Sequence, residues 1–283
     1  MSQQAPGQSG SSESVPTKDL SELPFVAPCR ELEPLACFRW LKAGFGDFRR
    51  AMLQDLPYGI FMAATIALVC YLAWTYGSYW FMLAMLGGFV FLAPLTCIGL
   101  YAISAQLERG QEPSVRRALR AGFRRYIGNE MIFALVLLVI FMVWARAGAM
   151  VSIFFPEHTD FQFADLALYL SVGTAVGAVF ATVTFSASAF SLPMIVHRRV
   201  DAVTAVVTSI NAVLRNKLAM MVWLAVIVAG VLVGVATAFL GLVVILPVIG
   251  HAAWHGYLDT IDASAFPRHE VGITATPRPA TLS

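Results

Sequence analysis

The segment GHAAWHGYLDTID, residues 250–262, sets His251, His255, Asp259 and Asp262 at steps of four, four and three. On an α-helix those steps keep the four side chains on one face. Two neutral imidazoles at i and i+4 can share a metal ion, with carboxylates orienting the rings or completing the ligand set. Inside a bilayer the same groups could instead relay protons or meet a substrate. The zinc-protease pattern is absent, because no glutamate follows the first histidine, and the spacing specifies no third ligand. A plainer reading makes His255, Trp254 and Tyr257 an interfacial belt and lets the aspartates open a solvated tail. The sequence implies no bound cofactor.

Other polar groups are sparse. Arg146 is the one charge embedded in an apolar run, where it either snorkels to the outer surface or faces an anion path. His197 reads as the start of a basic loop, and His158 beside Glu157 and Asp160 as a solvated turn. The four cysteines, Cys29, Cys37, Cys70 and Cys97, read as small apolar filler with no disulfide framework. Phosphate-binding glycine loops, nucleophile elbows and paired catalytic carboxylates do not occur.

These groups need a scaffold, and composition defines it. With 58% hydrophobic and 13% charged residues, the 283-residue chain has too little polar surface for a soluble fold. Pro57–Tyr76, Ser78–Leu107, Leu166–Val196 and Leu218–Gly250 contain no Asp, Glu, Lys or Arg, and Met131–Phe155 is broken only by Arg146. Each run can cross a hydrocarbon core of about 30 Å, and only as a helix, since the alternation of a barrel strand is missing. The long last run divides into two spans if the chain turns near Phe239-Leu240-Gly241, which makes six; one tilted helix there would leave five. The expected fold class is therefore all-α, a polytopic helical membrane protein.

Eighteen of the nineteen Lys and Arg residues fall on one side of these spans. That asymmetry places both termini in the cytoplasm, with the protein multi-pass. Residues 1–33 and 263–283 read as disordered tails around a membrane domain at 34–262, since the first twenty or so are Ser, Gln, Gly and Pro with almost nothing to bury.

Ala43-Gly44-Phe45 and Ala121-Gly122-Phe123 each precede a span, with Thr208-Ser209-Ile210 in the same place before a third. Around them apolar residues recur at helical spacing. One stripe carries Phe38, Leu41, Phe45, Phe48 and Met52; another carries Val115, Ala118, Leu119, Phe123, Tyr126 and Ile127, with Pro113 placed to begin the helix. Lys42 and Arg50 in the first copy, and Arg116, Arg117, Arg120 and Arg124 in the second, lie off the stripe, where they would meet anionic lipid head groups. Pro94, Pro193 and Pro247 fall in the even-numbered spans and predict kinks. The unit is thus an amphipathic interfacial helix plus a transmembrane hairpin, used three times at about 35–107, 112–197 and 201–260. Gly44 and Gly122, with the four-residue pairs Gly173 and Gly177, and Gly230 and Gly234, predict close helix packing within the chain or between chains.

The segments Trp40-Leu41-Lys42-Ala43-Gly44-Phe45-Gly46-Asp47, GLYAISAQLERGQEPS at 99–114, SLPMIVHRRVDAVTAVVTSINAVLRN at 191–216 and GHAAWHGY at 250–257 together resemble the bacterial integral membrane proteins with the DUF2189 domain. The resemblance implies a multi-span inner-membrane protein and brings no catalytic residues with it. Three function classes stay open. A membrane scaffold or assembly factor acting through helix and lipid contacts fits a shortage of buried polar groups. A small-solute or ion transporter or channel fits repeats and kinked spans. An intramembrane metal- or haem-binding protein would use His251 and His255. The partners expected are an anionic bilayer and a membrane protein or second copy of the chain, with no nucleic acid.

Overall fold

Apolar runs in lipid must satisfy their own backbone groups. Among the residues described by a computed structural model (24–76, 96–114, 116, 127–154 and 163–268), every regular element is accordingly a helix. In chain order these are α1 (Ala36–Arg50), α2 (Met52–Tyr76), α3 (Ile98–Glu108), α4 (Ile127–Phe154), α5 (Phe163–Ser188), α6 (Ser191–His197), α7 (Ala202–Arg215), α8 (Lys217–Ala236) and α9 (Leu242–Thr260). Among the described residues five stretches are long and apolar enough to cross a membrane: Met52–Tyr76, Met131–Met150, Ala167–His197, Lys217–Ala236 and Leu242–Thr260. Most of the run at 78–107, with Pro94, and the second interfacial helix, with Arg117, Arg120, Gly122 and Arg124, lie outside the described residues.

The long run after Leu218 forms two helices. Ala238 and Phe239 take left-handed backbone angles, φ 51° and 67°, and turn the chain between α8 and α9. The Thr237 hydroxyl braces the turn, donating to Gly234 O at 2.8 Å and accepting from Gly241 N at 2.9 Å. Gly234 lies under Leu242, and Gly230 lies beside Ile245 and Ile249, so the hairpin closes on small residues. Gly173 and Gly177 have no described neighbour within 4 Å of where a Cβ would be.

The short amphipathic helices α1 and α7 dock on longer ones, α1 on α9 and α7 on α5. On α1 the buried face is Trp40, Gly44 and Asp47, with Phe48, whereas Phe38, Phe45 and Met52 of the expected apolar stripe are exposed. A Cβ on Gly44 would lie 2.6 Å from Ala252 N and 2.8 Å from Val248 O, so α1 touches the backbone of α9. Pro193 produces a break rather than a kink. α5 ends at Ser188 and α6 restarts at Ser191, which puts Pro193 in a first turn whose amides lack helical acceptors anyway.

At that break the helical bond between Phe190 N and Ser186 O is replaced by a hydroxyl from α7. Ser209 Oγ accepts from Phe190 N at 3.1 Å and donates to Ser186 O at 2.7 Å. Ser209→Ala is expected to orphan both buried groups, at about 1–3 kcal/mol each. An unchanged thermal midpoint in detergent would show that another group serves them.

The core gathers where α1, α6, α8 and α9 meet. Trp40 stands edge-on to Trp223 and Phe190, with ring centroids 5.7 and 6.4 Å away, over Gly256. Two extended segments read from the sequence as tail also pack there, which moves the limits of the folded domain outward at both ends. Ala27 N donates to Thr208 Oγ1, Arg30 N to Thr260 O and Asp262 N to Pro28 O. Asn216 accepts from Leu32 N and donates to Arg30 O. Ala263 and Phe266 are buried. Backbone pairing of this kind leaves no periodicity in a sequence, which is why composition alone misses it.

Candidate functional site

Ala51 separates α1 from α2 and makes a corner between them. Asp47 lies in the last turn before the corner and Asp55 in the first turn after it, eight residues apart. On one straight helix they would be roughly 12 Å apart, against about 6 Å for His251 and His255 on α9. The corner removes the mismatch. His255 Nε2 meets Asp47 Oδ2 at 2.8 Å, and His251 Nε2 meets Asp55 Oδ2 at 2.9 Å.

Ser104, from α3, joins the two pairs. Its Oγ lies 2.6 Å from His251 Nδ1 and donates to Asp47 Oδ2 at 3.2 Å. The result is one connected row: His255, Asp47, Ser104, His251, Asp55. Asp55 and His251 are 0% exposed and Ser104 1%, while the His255 side chain keeps 30% of its surface. The row therefore runs from a part-exposed imidazole to a fully enclosed carboxylate. Asp55 Oδ1 is buried with no hydrogen-bond partner among the described residues.

Ser104, His251 and Asp55 have the residue types of a hydrolytic triad without its access. The hydroxyl hydrogen points to Asp47, and a serine this enclosed meets no acyl group. The 2.6 Å bond between Ser104 Oγ and His251 Nδ1 takes its direction from the imidazole tautomer.

The other two residues of the α9 stripe take separate partners. Asp259 accepts from Trp40 Nε1 at 2.9 Å and pairs with Arg39 at 3.2 Å. Asp262, beyond the helix, accepts from Ser264 N. The four side chains do not converge, and the described residues contain no group of three His, Cys, Asp or Glu able to hold a metal ion. The belt reading is overturned: Trp254 and Tyr257 are buried, and both rings pack on His197, whose Nδ1 lies 3.0 Å from Tyr257 OH. His197 itself closes α6 and is buried, so it is core and not loop. Lys42 and Arg50 are exposed on α1, and Arg49 lies over the Phe45 ring.

Asp47, Asp55 and Ser104 were not among the residues singled out by spacing. One signal was available: Leu192-Pro193-Met194-Ile195-Val196-His197 recurs as Leu246-Pro247-Val248-Ile249-Gly250-His251, marking both buried histidines by register. The two acids are legible only through the corner that joins them.

Residues 81–197 match the model of a family described as "Predicted integral membrane protein (DUF2189)". No curated protein and no solved structure matches the chain. Of the polar row only Ser104 falls inside the matched stretch, so the acids and the imidazoles belong to the flanking sequence. Joined to the apolar, membrane-length helices, the match identifies the chain as an integral membrane protein carrying the DUF2189 domain over residues 81–197.

Proposed function

We propose that this membrane protein moves or stores protons through the row from His255 to Asp55, as part of a proton-linked transporter of a small solute or ion. The observation that carries the reading is the unbroken hydrogen-bonded connection between a part-exposed imidazole and a buried carboxylate. Ionisable groups held inside a membrane domain are costly and typically mark proton or ion paths. A proton arriving at His255 Nδ1 drives the Nε2 hydrogen to Asp47; the Ser104 hydroxyl turns from Asp47 to an unprotonated His251 Nδ1, gives that nitrogen its hydrogen as it takes the Asp47 proton, and His251 passes its Nε2 hydrogen to Asp55. Each bond reverses direction once, and one proton gained at the entrance becomes one carboxylic acid at the end.

The threefold unit supports the same reading. Asp55, Phe133 and Met220 stand eleven residues after Gly44, Gly122 and Ser209, and all three are buried to within 1%. Two units fill that core position with an apolar side chain; the first places an acid there, opposite a histidine. The scaffold reading drew on a shortage of buried polar groups, which Asp47, Asp55, Ser104 and His251 remove. It keeps support from α1, whose exposed Phe38, Phe45 and Met52 beside Lys42, Arg49 and Arg50 suit an anionic inner leaflet. In both readings the basic ends and both termini are cytoplasmic, and the open Gly173–Gly177 face suits a second membrane helix.

Infrared difference spectroscopy of the protein in liposomes tests the proposal. Lowering the pH should raise the carbonyl band of a protonated buried carboxyl, absent in Asp55→Asn and appearing at least tenfold more slowly in His255→Gln. A band that neither substitution alters, or no band at any pH, refutes it.

A further inference from the structure

Arg198, just after α6, and Arg268, after α9, form an antiparallel bridge pair. In such a pair the two residues stand directly opposite with Cα atoms about 5 Å apart, and like charges so placed destabilise the pairing. Arg199 is exposed beside them, its backbone N–H donating to Pro267 O at 2.8 Å. Arg198 Nη1 donates to Phe266 O at 2.9 Å, whereas its Nε–H is buried with no partner among the described residues.

Compensation is thin. The neighbours acting on Arg198 are Tyr257, Arg268 and Glu108, of which Glu108 is the carboxylate and has the weakest influence. Burial holds the guanidinium below the usual arginine range, and Arg268 presses the same way, while Tyr257 and Glu108 oppose them. Two arginines paired across the bridge, of which Arg198 also bonds Tyr257 yet keeps an Nε–H with no partner among the described residues, suit a multidentate oxyanion better than a single carboxylate. The pair follows the ends of two apolar spans, Ala167–His197 and Leu242–Thr260, which is the depth of lipid head groups.

We propose that Arg198 and Arg268 clamp a phosphate group, carried by a phospholipid of the adjoining leaflet or by free phosphate. The clamp is independent of the polar row on α9.

Full-length protein in a neutral detergent is titrated with phosphatidylglycerol, and separately with diacylglycerol, and bound lipid is counted by native mass spectrometry. A parallel arm follows the thermal midpoint against inorganic phosphate. Phosphatidylglycerol binding that exceeds diacylglycerol binding at least tenfold, and that Arg268→Gln weakens at least tenfold, establishes the lipid source. A midpoint raised by phosphate in the wild type but not in Arg268→Gln establishes the free anion. Arg268 is exposed, so its variant should fold; Arg198→Lys, which keeps charge but loses the fork, should weaken binding as well. Arg39→Gln, whose guanidinium is already paired with Glu33 and Asp259, should leave binding unchanged. Binding insensitive to Arg268→Gln, binding that falls equally in Arg39→Gln, or no binding in either arm overturns the proposal.

Discussion

His251→Ala is expected to lower stability by about 3–5 kcal/mol, the cost of removing one partner from a buried charged pair. Asp55 is 0% exposed, its Oδ1 has no partner among the described residues, and the substitution strips Oδ2 of the His251 ring as well. Ser104 would lose its Nδ1 contact and keep only Asp47. Asp55→Asn should cost much less, because the amide has the same shape, carries no charge and can donate to the ring. The double substitution His251→Leu with Asp55→Leu should recover most of the stability, since apolar side chains of similar volume often replace buried ion pairs without loss. It should also abolish the protonated-carboxyl signal, which separates a structural role from proton transfer. Thermal unfolding in detergent measures all three. If His251→Ala melts within about 1 kcal/mol of the wild type, Asp55 is hydrated or shielded by another group, and the enclosed end of the row is misassigned.

The membrane character of the chain was legible because it depends on composition and on the length of uncharged runs, both of which are local properties. The turn between α8 and α9 was legible for a similar reason: one apolar run was twice the needed length, and Phe239 now marks the place. The α9 stripe was partly legible. A step of four does put His251 and His255 on one face, but what they meet depends on where α1 bends into α2, and Ala51 has no special residue type to announce a corner. Hence spacing singled out neither Asp47 nor Asp55. On α1 the apolar stripe names the face left exposed, not the face that packs on protein. Periodicity finds the apolar face, yet the face that packs on protein is set by where the backbone can come closest, at Gly44, with Trp40 and Asp47 on the same side. Size decided that contact more than hydrophobicity did.

The same closeness makes Gly59→Ala the second large effect. Gly59, on α2, faces Val243 O of α9, the carbonyl that would bond the amide of residue 247 if that residue were not proline. A Cβ on Gly59 would fall inside the contact radius of Val243 O and lie 2.9 Å from the carbonyl carbon and 3.1 Å from Pro247 Cγ. Backbone cannot rotate away as a side chain would, so α2 and α9 must separate. A loss above about 3 kcal/mol, or failure to assemble, is expected, beyond the usual range for overpacking a core. Gly46→Ala is the control: nothing lies within 4 Å of its missing Cβ, and alanine in mid-helix should be neutral or gain up to about 1 kcal/mol. Asp55 is one turn before Gly59 and His251 one turn after Pro247, so the two helices that must part also hold the 2.9 Å contact between carboxylate and imidazole. Separation by about 1 Å would break that hydrogen bond. Gly59→Ala protein that still folds should therefore lose the protonated-carboxyl signal, though it alters no titratable residue. A variant with both the wild-type melting temperature and the wild-type signal would mean that α2 and α9 lie farther apart than Gly59 implies.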